Sequence, residues 1–592
     1  MKKILRVVAM FVSFLLIILI PFANYTLVDI HDTFFALNLY SFLEPGSECT
    51  TLPLFMSAIM GNWILKLANF LNINDIKMLR LVAVLMFWLL SALVYYLYSK
   101  RLGRLTTLMG LVVAACFYKS HLTIVFYTQL SQMAAVLIAI CLLLAREKNN
   151  VILYVCAGFI AFFAISIRIT NIAFFSLLLL LFIGDKNNPI QWRKVCKAFL
   201  LGGGIAITCI VVIVHCTLGW PLLFKMPEAI NSTSVDGHTP LMLPLYIVFG
   251  LIGPRGVFLC LIWMLEFVLV YLAFWLIGKR HFKLLGGLIL CFCISFALWQ
   301  CGLFHLLLKD TFEHYYLNLF GHRIGFYQFL FMCHMAIAFF MWINVFLIAL
   351  AIKNKVDGNT LRLFVSSFFV GIVGSFGSNT QIAPVIFAAF FIVPVTFYGV
   401  RCWVCGEFVS GRFLDSKPVM NKSLKLSLCI VIFSICICSP LYVMTYSFAS
   451  PKIPIRYFFN KNVFMYEVED CPKLEGLFFC DLHHHYIQAC VRECRPHIPE
   501  GSPLIDLSGP CANYILSAPP ILKWRGGDTN YTSADSLREQ LSAMDCLPYI
   551  LASQSRKGIE DKLDVVENFV KDKQYRKIVT PHFIIWKPYE HR

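Results

Sequence analysis

Long apolar runs separated by short polar loops fill residues 1–449, and the pattern then breaks. A helical run of 18 or more apolar residues can cross a hydrocarbon layer of about 30 Å. Counting runs of that length together with several shorter ones, the pattern predicts thirteen spans: 7–23, 78–98, 104–118, 122–144, 151–167, 169–184, 198–219, 256–278, 284–307, 324–352, 362–376, 382–400 and 424–446. The stretch 241–253 is too short to cross alone and reads as re-entrant or interfacial. Past Tyr446, Pro451 and Pro454 mark a linker, and mixed polar sequence follows. There LIDLS (Leu504 to Ser508) reads as a buried strand entering a Gly-Pro turn, Tyr486 to Arg495 as a helix, and IVTPHFIIW as strands broken by Pro581. The predicted fold is therefore a polytopic α-helical membrane protein with about thirteen transmembrane helices over 1–449, followed by a small soluble α/β domain over 450–592.

Composition supports this division. Hydrophobic residues make up 59% of the 592 residues and mean hydropathy is +0.74, which excludes a soluble globular chain. The net charge of +17 raises the question of nucleic acid. No basic stripe interleaved with aromatics supports such a partner, because the Lys and Arg residues sit in loops. They concentrate in alternate loops, for example Lys100, Arg101 and Arg104, then Arg146 and Lys148, then Lys353, Lys355 and Arg362, then Arg401. The positive-inside rule makes those loops cytoplasmic and, with an odd number of spans, puts the C-terminal domain outside. The start, MKKILRVVAMFVSFLLIILIPFA, has the charge and apolar order of a signal peptide but no small-x-small site before Asn24, and reads as an uncleaved anchor.

The C-terminal domain holds six cysteines, Cys471, Cys480, Cys490, Cys494, Cys511 and Cys546, an even number that fits disulfides in an oxidising compartment, with fifteen pairings open. Cys490-x3-Cys494 beside His483, His484 and His485 is a weaker pointer to zinc, and the three histidines read first as a solvated helix start.

The loop after the first span, NYTLVDIHDTFFALNLYSFLEPGSECT, gathers acidic groups in a chain poor in charge. Asp29 and Asp32 stand three apart, so a helix starting here would carry both on one face. FFALNLYSFL then has apolar residues at helical spacing and suits a helix lying on the membrane; Leu52 to Leu71, with Trp63 and Lys66, is a second such stretch, so that 24–77 holds two interfacial helices. The structural alternative is that Asp29 or Asp32 caps a helix.

This layout resembles the GT-C superfamily of membrane glycosyltransferases. Those enzymes place one or two acidic residues in the first outer loop, continue through interfacial helices and eleven to thirteen spans, and often end in a soluble outer domain. The resemblance covers nearly the full chain in layout. The loop departs from the family's adjacent or alternate acidic pair, reading Asp29-Ile-His-Asp32-Thr, and leaves open which aspartate is equivalent; Asp32 opens the amphipathic stretch and is the favoured base. The resemblance implies a polyprenyl-phosphate-linked sugar as donor, a glycan, lipid or protein as acceptor, and membrane lipids around the protein. It also implies a basic side chain or a divalent cation (Mg or Mn) opposite the leaving phosphate.

Glycosyl transfer needs a base for the acceptor hydroxyl, and a carboxylate near a low-dielectric boundary is a stronger one. Around Asp32 and Asp29, the substrate-binding candidates are His31, Arg168, Arg255, Glu313, His314, His322 and Arg323. Arg168 interrupts apolar sequence in AISIRITNIAF, where a charge is costly and by default functional or paired. Arg255 opens a span after GPRG. Glu313, His314, His322 and Arg323 belong to KDTFEHYYLNLFGHR, the most polar loop between spans, whose Tyr315 and Tyr316 suit stacking on sugar. The alternative role for these side chains is snorkelling to anchor helix ends. The chain lacks a P-loop, a Rossmann glycine pattern and HExxH.

Two other classes compete: a transporter or flippase of lipid-linked glycans, which often shows repeated halves with charged, broken helices, and a non-catalytic membrane scaffold. Short loops and a compact outer domain suit a bacterial inner membrane. The sequons at Asn24, Asn231 and Asn530 would suit the endoplasmic reticulum instead.

Overall fold

The computed structural model describes residues 2–24, 32–43, 54–120, 124–183, 191–219, 254–279, 282–300, 317–319, 322–324, 328–376, 383–405, 466–479, 481–509, 511–522, 533–555 and 559–589. Helices dominate. Five of them are long and apolar enough to cross a membrane: Ile4–Phe22, Asp75–Leu102, Tyr127–Lys148, Trp192–Leu218 and Pro384–Val404. Six shorter apolar helices stand beside them. One, Ile169–Phe182, winds as a 3-10 helix; at about 2 Å per residue its fourteen residues reach about 28 Å, much further than an α-helix of that length. The segment 424–446, read as a span, lies outside the described residues, as does 241–253.

In chain order the α-helices described within residues 2–405 are α1 (Lys2–Leu19), α2 (Asp32–Ser41), α3 (Phe55–Phe70), α4 (Asp75–Leu102), α5 (Arg104–Ser120), α6 (Tyr127–Lys148), α7 (Val151–Ile167), α8 (Trp192–Leu218), α9 (Pro254–Ile277), α10 (Lys283–Gln300), α11 (Gln328–Lys353), α12 (Gly358–Ser375) and α13 (Ala389–Cys405). Local chemistry sets several boundaries. Asn74 caps α4 by accepting from the amides of Ile76 and Lys77, and Asp357 caps α12 by accepting from those of Asn359 and Thr360. Asn149 takes the left-handed conformation that ends α6. Where α7 and α8 cross, Gly158 and Gly202 leave no room for side chains: a Cβ at Gly158 would strike the Phe199 carbonyl, and one at Gly202 the Val155 carbonyl.

The basic loops converge. Arg101, at the end of α4, lies 3.5 Å from Glu147 at the end of α6 and 3.8 Å from Asp357 before α12. Arg401 of α13 donates to the Leu102 carbonyl at 3.1 Å. One end of the bundle thus carries Arg101, Glu147, Asp357 and Arg401, and the other carries the start of α4 and the junction after α7.

Two short strands, β1 (Leu317–Leu319) and β2 (His322–Ile324), form an antiparallel hairpin, and the C-terminal residues form a four-stranded sheet in the order β3-β4-β6-β5, with β3 Leu504–Asp506, β4 Tyr549–Ser553, β5 Tyr575–Val579 and β6 Phe583–Pro588. Strands β3 and β4 are parallel and the other pairs antiparallel. Helices Asp481–Ala489, Ala534–Ser542 and Glu560–Asp572 complete an α/β unit. LIDLS and IVTPHFIIW supply strands as expected, the second turning at Pro581; the predicted helix 486–495 starts earlier and opens into a π turn at Cys490–Cys494. Asp506, at the end of β3, accepts from the Ser508 amide and hydroxyl at 2.8 and 2.6 Å and from the Gly509 and Ala512 amides at 3.2 and 3.1 Å. Burial pushes its pKa up to about 6 against the pull of those donors.

Two expectations change. Cys471, Cys490, Cys494, Cys511 and Cys546 are all free thiols, and Cys480 lies outside the described residues. Four of the five are buried and fill the core as small apolar side chains. Helix α2 is also not one-sided: Thr33, Phe34, Ala36, Leu37, Asn38, Leu39 and Tyr40 are all buried. The C-terminal domain covers one side and α3 the other, and Phe34, Leu37, Ile76, Leu474, Leu504 and Tyr514 share one continuous core. By contrast α3 presents Trp63, Leu67 and Phe70 outward, the apolar face of a helix suited to a lipid boundary.

Candidate functional site

Asp32 is the first residue of α2, so the position of its backbone follows from what holds that helix. Two tyrosines do most of this. Tyr40, fully buried at the far end of α2, donates from its hydroxyl to the Val125 carbonyl at 2.8 Å and lies 3.4 Å from the Ser57 hydroxyl. Its own carbonyl accepts from Asn62 Nδ2 at 2.8 Å. Gly61 sits under the Tyr40 ring, where any Cβ would collide with it. Burial raises the Tyr40 phenol above its ordinary pKa, so it stays a neutral donor. From the other side, the Tyr514 ring of the C-terminal domain lies 5.9 Å from the Phe34 ring.

A chain of rings joins α2 to Arg168. Phe35 meets Phe126 edge-on at 5.9 Å, and Phe126 lies against Tyr127 at 4.1 Å. The Arg168 guanidinium carbon stands 5.2 Å from the Tyr127 ring centre, a cation–π contact that favours charge in a desolvated place. Arg168 is buried at the C-cap of α7, in extended backbone that breaks α7 from the 3-10 helix after it. Asn171 stitches this break: its side-chain amide donates to the Ala164 carbonyl at 2.8 Å and to the Ser131 hydroxyl at 2.9 Å. Arg168 is thus held by a fixed junction, not by a mobile loop end.

The remaining sequence candidates fare differently. Arg255 lies in α9 near its N-terminus, and His322 and Arg323 lie in a short antiparallel hairpin, Leu317–Leu319 with His322–Ile324, paired Asn318 to Arg323 and Leu319 to His322. Asp29, His31, Glu313 and His314 lie outside the described residues.

Three buried polar features were missed from sequence. Arg80 is buried in the second turn of α4. Glu266 is buried within the apolar helix α9, with no hydrogen-bond partner for its Oε2. Both carried a legible signal, a single charge inside an apolar run. The third is the polar contact of Tyr514 and Asp75, whose partners are far apart in sequence: the phenol donates to Asp75 Oδ2 at 2.8 Å. Burial lowers the pKa of nearby Lys473.

Chemically, this end of the bundle joins a carboxylate position at the start of a rigid helix to a buried, always-charged guanidinium through a wall of aromatic rings. A guanidinium suits phosphate through paired hydrogen bonds. Among the described residues no group of three or more His, Cys, Asp or Glu side chains would hold a metal ion. No protein-family model and no curated protein matches the chain.

Proposed function

We propose that this chain is an integral-membrane glycosyltransferase of GT-C type, moving a sugar from a polyprenyl-phosphate donor to an acceptor hydroxyl at the outer face. In this reading the chain crosses the membrane thirteen times, its basic end is cytoplasmic, and its C-terminal domain is periplasmic; a bacterial inner membrane is favoured over the endoplasmic reticulum.

The observation that carries the reading is Arg168: a buried guanidinium linked by three rings to the helix that opens at Asp32. Asp32 takes the proton of the acceptor hydroxyl, with Asp29 in support. The hydroxyl oxygen attacks the anomeric carbon as the bond from that carbon to the phosphate oxygen breaks. The electron pair leaves on polyprenyl phosphate, whose charge Arg168 stabilises. A divalent cation bound at that phosphate would add positive charge there; among the described residues no group of three or more His, Cys, Asp or Glu side chains forms a ligand set for it.

The test is sugar transfer from a polyprenyl-phosphate donor by purified wild type and Asp32→Ala in lipid. Transfer is expected in the first, with a fall of about a hundredfold or more in the second. Equal rates in the two would sink the assignment.

Glu266 favours a second reading, a transporter or flippase of lipid-linked glycans, because a buried carboxyl within an apolar helix suits coupling to a proton or ion. There Glu266→Gln abolishes movement of the glycan lipid across vesicles; in the glycosyltransferase reading it leaves the transfer chemistry intact.

A further inference from the structure

We propose that Tyr514, Lys473 and Asp75 form a latch by which the C-terminal domain positions α2, making them positioning residues for Asp32. The proposal rests on the glycosyltransferase reading, and its test separates the two.

The contact is built, not incidental. Tyr514 is 2% exposed, and its ring packs on Phe34, two residues after Asp32. Its hydroxyl donates to Asp75 Oδ2 at 2.8 Å, at the first residue of α4. Lys473 Nζ stands 4.8 Å from the Tyr514 ring centre and donates to the Tyr514 carbonyl at 2.9 Å and to the Ser517 hydroxyl at 2.7 Å. The Lys473 carbonyl accepts from Asn74 Nδ2 at 2.7 Å, and Asn74 is the same residue that caps α4. Lys77 Nζ reaches the Glu475 carbonyl at 3.2 Å. One short segment of the soluble domain therefore reads the start of α4 through directional bonds, while the ring between them presses on α2.

Energetics say why a polar device matters here. An interface needed only for adhesion could be wholly apolar, since burying charged partners costs desolvation that apolar packing does not. What the phenol–carboxylate bond adds is register: Tyr514 cannot slide along Phe34 without giving it up. Tyr40 fixes the far end of α2 to the 124–126 linker through its hydroxyl, while the near end rests on the Tyr514 ring, whose hydroxyl is tied to α4 at Asp75; only the first tyrosine belongs to the membrane portion. The soluble domain thus supplies half of the geometry on which the first-loop carboxylate depends. A shift of about 1 Å at such a group can cost about a hundredfold in rate.

The experiment uses the full chain in nanodiscs. Tyr514→Phe keeps the ring on Phe34 and Lys473 and removes only the donor; Asp75→Asn keeps an acceptor oxygen for the phenol; Asp75→Ala removes it. Two readouts are taken, hydrogen exchange of the α2 amides and steady-state sugar transfer. Loss of one bond to a charged group predicts α2 exchange about tenfold faster in Tyr514→Phe and Asp75→Ala. The amides of β4 and β6 stay unchanged, and Asp75→Asn stays near wild type. The double variant Tyr514→Phe with Asp75→Ala is no worse than either single one, because both remove the same bond. Turnover falls about tenfold in the same variants with the donor KM within about twofold. The latch is overturned if α2 exchange in Tyr514→Phe matches wild type, if the two single effects add, or if exchange rises while turnover holds. Should wild type transfer no sugar at all, the functional reading falls, and the latch still stands or falls on exchange and on the double variant.

Discussion

The two ends of the helical bundle both carry charge, and they use it in opposite ways. At the basic end Arg101 lies 3.5 Å from Glu147 and 3.8 Å from Asp357, with side chains 26, 40 and 59% exposed. Asp357 also caps α12, and Arg401 closes on the Leu102 carbonyl. These contacts finish helix ends in a wet place, where a pair is worth about 0–1 kcal/mol. At the other end Arg168 and Arg80 are buried, Tyr40 is sealed, and Asp75 meets a phenol under the soluble domain. Burial there makes each polar group expensive to place and hard to replace. Charge at the first end is solvated and closes helix ends; charge at the second is desolvated and held by directional contacts.

The largest effect that sharpens this contrast lies in the soluble domain. Asp506 has its pKa raised from 3.8 to about 6 by burial. Well below pH 3.8 the carboxyl is protonated in both folded and unfolded chains. As pH rises towards 6 the unfolded chain gives up its proton first, so the folded state then binds more protons and loses stability with rising pH. The domain should therefore be more stable at pH 4 than at pH 7 by up to about 3 kcal/mol from this group. Hydrogen exchange of β3 and β4 amides, corrected for intrinsic rates, measures it. Asp506→Asn should flatten that part of the profile; an unchanged slope in this variant would assign the pH response elsewhere.

Next in size is Arg168. If it meets the donor phosphate, Arg168→Ala should lower kcat/KM for the polyprenyl-phosphate sugar about a hundredfold, which is about 2.7 kcal/mol. Arg168→Lys should recover only part, since an ammonium cannot reproduce the paired bonds of a guanidinium. Recovery of full activity by Lys would reduce the role of Arg168 to simple charge.

How much of this was legible in the sequence divides along the same line. Features set by local chemistry were readable: the apolar runs, the strands around Leu504 and Pro581, and the basic loops that converge on Arg101. Features set by contact across the chain were not. Tyr514 and Asp75 are 439 residues apart, and neither carries a local pattern that announces the other. The burial of α2 on both faces depends on the soluble domain covering it, so the spacing in FFALNLYSFL could predict a helix and not its surroundings. The cysteines of that domain read as bridges because their even number suits an oxidising compartment. The burial of four of them as free thiols reflects core packing, which counting does not detect. Arg80 and Glu266 differ again, since each stands as one charge in an apolar run and was readable on the same grounds as Arg168.

A smaller effect tests whether the bundle transmits strain between its ends. Gly158 and Gly202 let α7 and α8 touch backbone to backbone, and α7 ends at Arg168. Gly158→Leu must push the helices apart and should cost about 2 kcal/mol. Thermal unfolding in detergent measures the cost. Transfer assayed well below the melting range shows whether the Arg168 junction moves with α7. A drop in transfer larger than the loss of folded protein would tie the crossing to the site, and a proportional drop would confine it to stability.

The smallest expected effect is the control for the whole comparison. Arg101→Ala removes a side chain that pairs with Glu147, lies near Asp357 and donates to Thr360 at 3.2 Å. The two carboxylates keep access to water or a second role, because Glu147 is substantially exposed and Asp357 still caps α12. The loss should be under about 1 kcal/mol and should shrink further in high salt, as screened surface pairs do. Sugar transfer should stay within about twofold of wild type, since nothing at this end touches the Arg168 junction. Thermal melts at low and high salt, run beside transfer assays, decide the matter. A loss of several kcal/mol, or one that salt does not soften, would mean that the basic end is as tightly built as the other, and the division of labour between the two ends would fail.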